Sequence, residues 1–282
     1  MLQAPQRTGL SGPTLIRLLT RLTDAEVQQS RQSLSDHLSQ WLGWTDAIAL
    51  SAALNTAPPV IAPGARMFSS AEERECVRVR TTLADAIASD TAATAAKRVA
   101  PARAPAKKLA AVLAEDEFDY SSFRQRYLSL QHTMETSIGN LRSRLRGMVA
   151  ARNGEWTRLA VVDAIMDRAL LPKERALLGA IPKLLQAHFD RLRKAEEAAL
   201  AQAAEQALAE PGAPADAAAN VQGDTEAPAV DAAQAGTAPP APAITAGAWL
   251  DTFRADMRAV LLAELDVRLQ PVEGLLAALR TS

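Results

Sequence analysis

From Phe123 to Leu170 the large apolar residues return in steps of three and four: Phe123, Tyr127, Leu130, Met134, Ile138, Leu141, Leu145 and Met148, then, past Gly154, Trp156, Leu159, Val162, Met166 and Leu170. That spacing draws one apolar stripe along a helix and leaves Arg142, Arg144, Arg146, Arg158 and Asp167 between its members. It predicts one long helix, or two in series with a bend at Asn153 and Gly154. Unbroken, residues 118–170 would span about 80 Å at 1.5 Å per residue. The acids Glu115, Asp116, Glu117 and Asp119 suit its first turn, where carboxylates oppose the positive end of the helix dipole.

The stretch LLPKER then predicts a turn, with Pro172 at a helix start. Leu177, Ile181, Leu184, Leu185, His188, Phe189 and Leu192 continue the stripe, and an alanine-rich polar segment carries it to Glu210. Pro182 should kink that helix, because it lacks the amide hydrogen and crowds the preceding turn. The short connection predicts antiparallel neighbours, a helical hairpin over 115–210.

The N-terminal region, 1–90, predicts about three helices. Ser11 can cap a helix through Leu22 that carries Leu15, Leu18, Leu19 and Leu22 on one face and Arg17 and Arg21 on the other. Thr23 with Glu26 forms a capping-box pattern, from which Val27, Leu34, Leu38, Trp41, Ile48 and Ala52 recur at helical spacing to about Leu54. The prolines of NTAPPVIAPGA end that helix. Ser69 with Glu72, or Ser70 with Glu73, can cap a third helix whose inner face is Cys76, Val79 or Arg80, Leu83 and Ile87. Trp41 and Trp44, three residues apart on one helix, are expected to pack into a core rather than form a ligand cage. Their indoles are also candidates for contact with another protein.

Two segments read as linkers. Residues 91–114 hold five bases, Lys97, Arg98, Arg103, Lys107 and Lys108, and no acid. A solvated linker is the preferred reading, with sequence-independent phosphate contact as the alternative. Residues 211–247 hold four acids, no base and many prolines, and read as a disordered linker. After them a terminal amphipathic helix, 248–282, carries Trp249, Leu250, Phe253, Met257 and a run of leucines and valines, with a bend expected at Pro271. Docking within the chain would complete a three-helix bundle, and docking on another chain would make Trp249 and Phe253 contact residues.

Catalytic patterns are missing from the sequence. It has no glycine-rich phosphate loop, no HExxH and no CxxC, so neither catalytic residues nor a cofactor or metal site is expected. His188 reads as a satisfied bundle residue, and Asp163 and Asp167 as a solvated pair on one helix face. The single cysteine, Cys76, follows Glu72, Glu73 and Glu75, which oppose thiolate formation, and it points to a reducing compartment such as the cytoplasm. No run of apolar residues is long enough to span a membrane, and the N-terminus lacks the pattern of a secretory signal. A net charge of −1 gives no overall bias toward nucleic acid.

The stretches QRTGLSGPTLIRLLTRLTD and SQWLGWTDAIALSAAL resemble the N-terminal part of a bacterial family of proteins described only as a domain of unknown function. The resemblance covers about the first 90 residues, with the remainder alike in layout, and it implies no catalytic residues. The expected fold class is all-α: a small N-terminal helical region, then a long helical hairpin or three-helix bundle with coiled-coil character, plus disordered linkers. The expected function is that of a non-enzymatic interaction or scaffold protein, partnering another protein or itself through amphipathic helices. The alternative is a weak, sequence-independent nucleic-acid-associated protein using residues 97–108.

Overall fold

The computed structural model describes residues 14–23, 32–55, 68–99, 119–152, 154–209 and 247–281, with the backbone alone over 90–99 and 207–209. Among these residues there are eight helices and no strand, as the all-α reading requires. They are α1 (Thr14–Thr23), α2 (Leu34–Trp41), α3 (Trp44–Asn55), α4 (Ser70–Val99), α5 (Tyr120–Ala150), α6 (Gly154–Leu178), α7 (Ile181–Ala209) and α8 (Ala248–Arg280).

The long stripe folds back on itself instead of forming one rod or two helices in series. α5 ends at Ala150, the Thr157 hydroxyl donates to the Ala150 carbonyl at 2.7 Å, and α6 returns antiparallel along α5. The arginines between the apolar steps explain the reversal, because Arg142 and Arg146 find Asp163 and Asp167 directly across it. The buried ladder of α5 is Tyr120, Phe123, Tyr127, Gln131, Met134, Ile138, Leu141, Leu145 and Val149, so Gln131 and Val149 occupy the inward positions while Leu130 and Met148 are partly buried beside them.

The expected turn at LLPKER is absent, and α6 runs through Pro172 to Leu178. The break falls at Gly179 and Ala180, where the Gly179 amide donates to Arg175 O at 2.9 Å. A Cβ on Gly179 would sit 2.8 Å from that same carbonyl, which is why glycine closes this helix. Pro182 therefore lies in the first turn of α7, where its missing amide costs no intrahelical bond, and not inside a kinked helix. α6 and α7 follow each other along α5 instead of packing as an antiparallel pair: Gln131 reaches Leu178 O and the Tyr120 hydroxyl reaches Pro182 O.

α8 occupies the centre. Gly247 precedes it with φ of 88°, a left-handed conformation suited to glycine, and its amide donates to Glu196 at 2.8 Å. The helix continues through Pro271 to Arg280 and packs against α1, α4, α5 and α7. It is parallel to α5, where Phe123 meets Phe253 and Tyr127 meets Glu264. It is antiparallel to α4, where Arg80 meets Asp266 and Glu73 meets Arg280. Leu15 and Leu22 of α1 and Leu83 and Ile87 of α4 belong to the same core cluster as the ladders of α5 and α8, so these N-terminal helices are walls of the bundle and not a region apart.

At the N-terminal side two boundaries move. The helix expected to run from Thr23 to Leu54 is divided; its proposed start at 24–31 lies outside the described residues, and Ser33 with Asp36 forms the capping box of α2. Leu42 is extended (φ −77°, ψ 124°), and Gly43, a poor helix former, precedes a new helix start where Asp46 can turn back toward its amide. α4 begins with the Ser69–Glu72 box, the Ser69 amide donating to Glu72 at 2.9 Å. It runs to Val99, into the segment expected as linker, where TAATAAK supplies four alanines of high helix propensity. The linker at 211–246 lies outside the described residues.

Candidate interaction surface and buried polar centre

The break at Leu42 and Gly43 decides the fate of the tryptophans. Separated by two non-helical residues, Trp41 and Trp44 no longer share one helix face. Trp41 is half-buried with its ring 5.9 Å from His37, whereas Trp44 is 81% exposed, which corrects the expectation that both pack into a core. Leu34 and Ile48, from the same expected stripe, are 74% and 53% exposed. α3, which packs against α6, has no fully buried residue: Ala49, Leu50 and Ala53 are half-buried, and Trp44, Ile48 and Leu54 are exposed. Its one charged residue, Asp46, is turned to Arg168 of α6 at 3.5 Å.

Trp249 and Phe253, the other two candidates for partner contact, are inside this chain's own core, at 8% and 0% exposure. Phe189 meets them edge-on at 4.8 and 5.0 Å between ring centroids, and Phe123 meets Phe253 at 5.2 Å. Their apolar steps in sequence are those of a core helix, and the structure spends them there. Of the basic candidates, Lys97 and Arg98 fall in the last turn of α4, while Arg103, Lys107 and Lys108 lie outside the described residues.

A buried polar centre, which the apolar periodicity could not reveal, joins α5, α6 and α8. Glu264 has no exposed surface and accepts from Tyr127 Oη at 2.7 Å, Gln131 Nε2 at 2.9 Å and Arg268 Nε at 2.9 Å. Arg268 also donates to Glu174 at 2.9 Å. Burial, reinforced by the Glu264 charge, pushes the Tyr127 phenol far up, and burial lifts the Glu174 carboxyl against the pull of Arg268. Each of these charges has an opposite charge within hydrogen-bond reach, so the arrangement is suited to fixing helix register rather than to reacting. The signal available in sequence was Gln131, a polar residue in phase with the buried ladder, four residues after Tyr127.

A second polar junction ties α1 to α7 and α8. His188 is buried, with Nε2 2.9 Å from Asp256 and Nδ1 3.1 Å from Arg191. A guanidinium only donates, so Nδ1 accepts and Nε2 carries the hydrogen given to Asp256. Arg191 also donates to Leu22 O, and Arg21 reaches Asp256 at 3.2 Å. His188 is thus the satisfied bundle residue that its place in the stripe suggested.

Asp163 and Asp167 do not run into solvent. Arg142 and Arg146 each bridge to both, with distances of 2.6 to 2.7 Å for the closest pairs, and Asp163 is mostly shielded. Burial first, then the Glu75 carboxylate, pushes the Cys76 thiol up, which opposes nucleophilic use. An open groove of about 440 Å³ between α5 and α6 is lined by small residues, among them Gly147, Ala150, Ala160 and Ala164. Among the described residues no group of three metal-ligating side chains converges, and no helix is long and apolar enough to cross a membrane.

Fold and surface define the class: an all-α bundle around a central C-terminal helix, with a buried polar centre and a short apolar arm on its outside. The chain belongs to the family described as "Protein of unknown function (DUF3348)", whose model matches residues 1–281 and not only the N-terminal 90 residues. No curated protein and no solved structure matches it.

Proposed function

We propose that this chain is an interaction protein that works by contact and not by catalysis, its bundle holding α2 and α3 out as a docking surface. The observation that carries this is Trp44, 81% exposed on a three-turn helix that has no fully buried residue. Exposing indole and isoleucine to water is unfavourable by roughly 1.5 to 3 kcal/mol for each large side chain left unburied, and Trp44, Ile48 and Leu54 gather three such side chains on one short helix. Trp44 is far more exposed than Ala49, Leu50 and Ala53, the half-buried apolar residues of the same helix. The single cysteine fits work in a reducing, cytoplasmic setting.

The test is site-specific photo-crosslinking in cells that make the protein. A photoreactive residue in place of Ile48 should give a discrete adduct, the same residue in place of the exposed Gln125 on α5 should not, and Trp44→Glu should abolish the first. Equal labelling from positions 48 and 125, or none from either, would overturn the proposal.

A further inference from the structure

We infer that α1 is a helix loosened by acid, with His188 as the group that takes the proton and Arg191 as the link that passes its effect to α1. The device is independent of the surface on α2 and α3. One guanidinium nitrogen makes the link. Arg191 Nη2 carries two hydrogens, and its two partners are His188 Nδ1 at 3.1 Å and the Leu22 carbonyl. Leu22 lies in the last turn of α1, where carbonyls lack a partner within the helix, so Arg191 caps α1 from α7.

The bond to Nδ1 exists only while that nitrogen carries no hydrogen, because a guanidinium has hydrogens to give and no lone pair with which to accept one. Histidine is the side chain that changes charge between about pH 5 and 8. Once protonated, Nδ1 turns its own hydrogen and a positive charge toward a guanidinium 3.1 Å away. Arg191 is exposed and free to swing into water, and its departure leaves the Leu22 carbonyl uncapped.

The direction of the coupling follows from what each state of α1 adds. Asp256 of α8 accepts from His188 Nε2 at 2.9 Å, a pairing between α7 and α8 that does not need α1. It favours the protonated ring whether α1 is docked or released, so it cancels from the difference. Docking adds positive charge: Arg21 of α1 reaches the other oxygen of Asp256 at 3.2 Å, and the Leu22 carbonyl holds Arg191 against Nδ1. Both oppose proton uptake, and by reciprocity proton uptake opposes docking by the same factor. Other charged and titratable groups at this corner are engaged elsewhere, Arg254 of α8 with Asp251 at 3.0 Å and the Tyr120 phenol of α5 with the Pro182 carbonyl. The apolar grip of α1 is short, with Leu15 and Leu22 buried and Leu18 and Leu19 partly so, which leaves its docking open to a one-proton change.

Hydrogen exchange on the full chain tests this, read as the protection of the α1 amides after correction for the intrinsic pH dependence of exchange. Between about pH 7.5 and about pH 5.5 α1 should lose protection by a factor of at most about ten per pH unit, the bound for one proton, while the α5 amides keep theirs. His188→Gln supplies one acceptor and one donor and takes no proton, so α1 should stay protected at both pH values. Arg191→Gln, at an exposed position, should lower α1 protection at the higher pH and remove most of the response. The other two histidines, His37 and His132, sit on α2 and α5, whereas α1 packs against α7 and α8. Protection of α1 that stayed level or rose as pH fell would overturn the inference, as would a response of full size in either variant or an equal response in α5. Wild type and Arg191→Gln decide the matter even where His188→Gln does not fold.

Discussion

The Tyr127 hydroxyl donates a 2.7 Å hydrogen bond to Glu264, a carboxylate with no exposed surface, and so ties α5 to α8 at a single register. Arg268, one turn along α8, neutralises that carboxylate at 2.9 Å and in turn holds Glu174 of α6. Breaking a buried charge pair by removing one member is more damaging than removing a neutral hydrogen bond, because the surviving charge stays desolvated. Glu264→Ala should therefore cost about 3 to 5 kcal/mol, and Tyr127→Phe about 1 to 2 kcal/mol. Urea unfolding of both variants checks the order; equal losses would show that the centre acts through packing alone.

Alkaline stability should be limited by the two buried tyrosines of α5. Burial pushes Tyr120 from 10.0 up to about 12 and Tyr127 further in the same direction. In the unfolded chain both phenols lose their protons near pH 10, while in the folded chain they keep them. Unfolding then releases protons, so their contribution is fully present below pH 10 and is lost as pH rises through the folded values. The urea midpoint should fall steadily from pH 10 to 12, and Tyr120→Phe should flatten part of that slope. A midpoint level across this range would contradict the protected phenols.

The helices of this fold were legible because apolar steps of three and four survive in the finished structure: Leu15 and Leu22, Leu83 and Ile87, and the ladder of α5 all face the core. The chain reversals were less legible. Pro172 and Pro182 suggested a turn and a kink, yet a proline inside α6 was accommodated and the real break falls at Gly179, where a Cβ would come within 2.8 Å of the Arg175 carbonyl, a closeness that periodicity does not report. The candidate surface was half legible. The sequence singled out Trp41 and Trp44, but the extended backbone at Leu42 turned Trp44 outward, while Trp249 and Phe253 went inward because α8 has neighbours on several sides.

The antiparallel junction of α5 and α6 should depend on its four charges. Arg142 and Arg146 each contact both Asp163 and Asp167, and Asp163 and the two arginines are largely shielded from solvent. Exposed pairs contribute about 0.2 to 1 kcal/mol and buried ones several, so Asp163→Ala, which leaves two partly buried guanidinium groups to share Asp167, should cost about 1 to 3 kcal/mol. A double-mutant cycle with Arg146→Ala should show coupling, and strictly additive losses would mean the bridges are incidental.

The basic stretch can make only limited phosphate contact. Five bases between Lys97 and Lys108 allow about five phosphate contacts, so the logarithm of duplex affinity should fall with the logarithm of salt at a slope of about −4 to −5 at most. Lys107→Glu with Lys108→Glu should remove most of such binding in a fluorescence titration at low salt. Binding that survived both changes would have to use another part of the chain.

Deleting residues 248–282 should destroy the bundle and not merely release a contact arm. The deletion removes Trp249, Leu250, Phe253, Met257, Leu261 and Leu265, all buried, each worth roughly 1.5 to 3 kcal/mol of burial before entropy is subtracted. Since a whole domain is stable by only about 5 to 15 kcal/mol, the loss exceeds the margin. It also strips the inner faces of α1, α4, α5 and α7 together, because α8 packs against each of them. The truncated chain should keep helical circular dichroism, lose a cooperative melt and bind a hydrophobic dye. Had α8 served chiefly another chain, the truncation would keep its melting temperature and lose only a partner; a cooperative melt near that of the full chain would therefore show that the central helix is dispensable and the packing around Phe253 unimportant for folding.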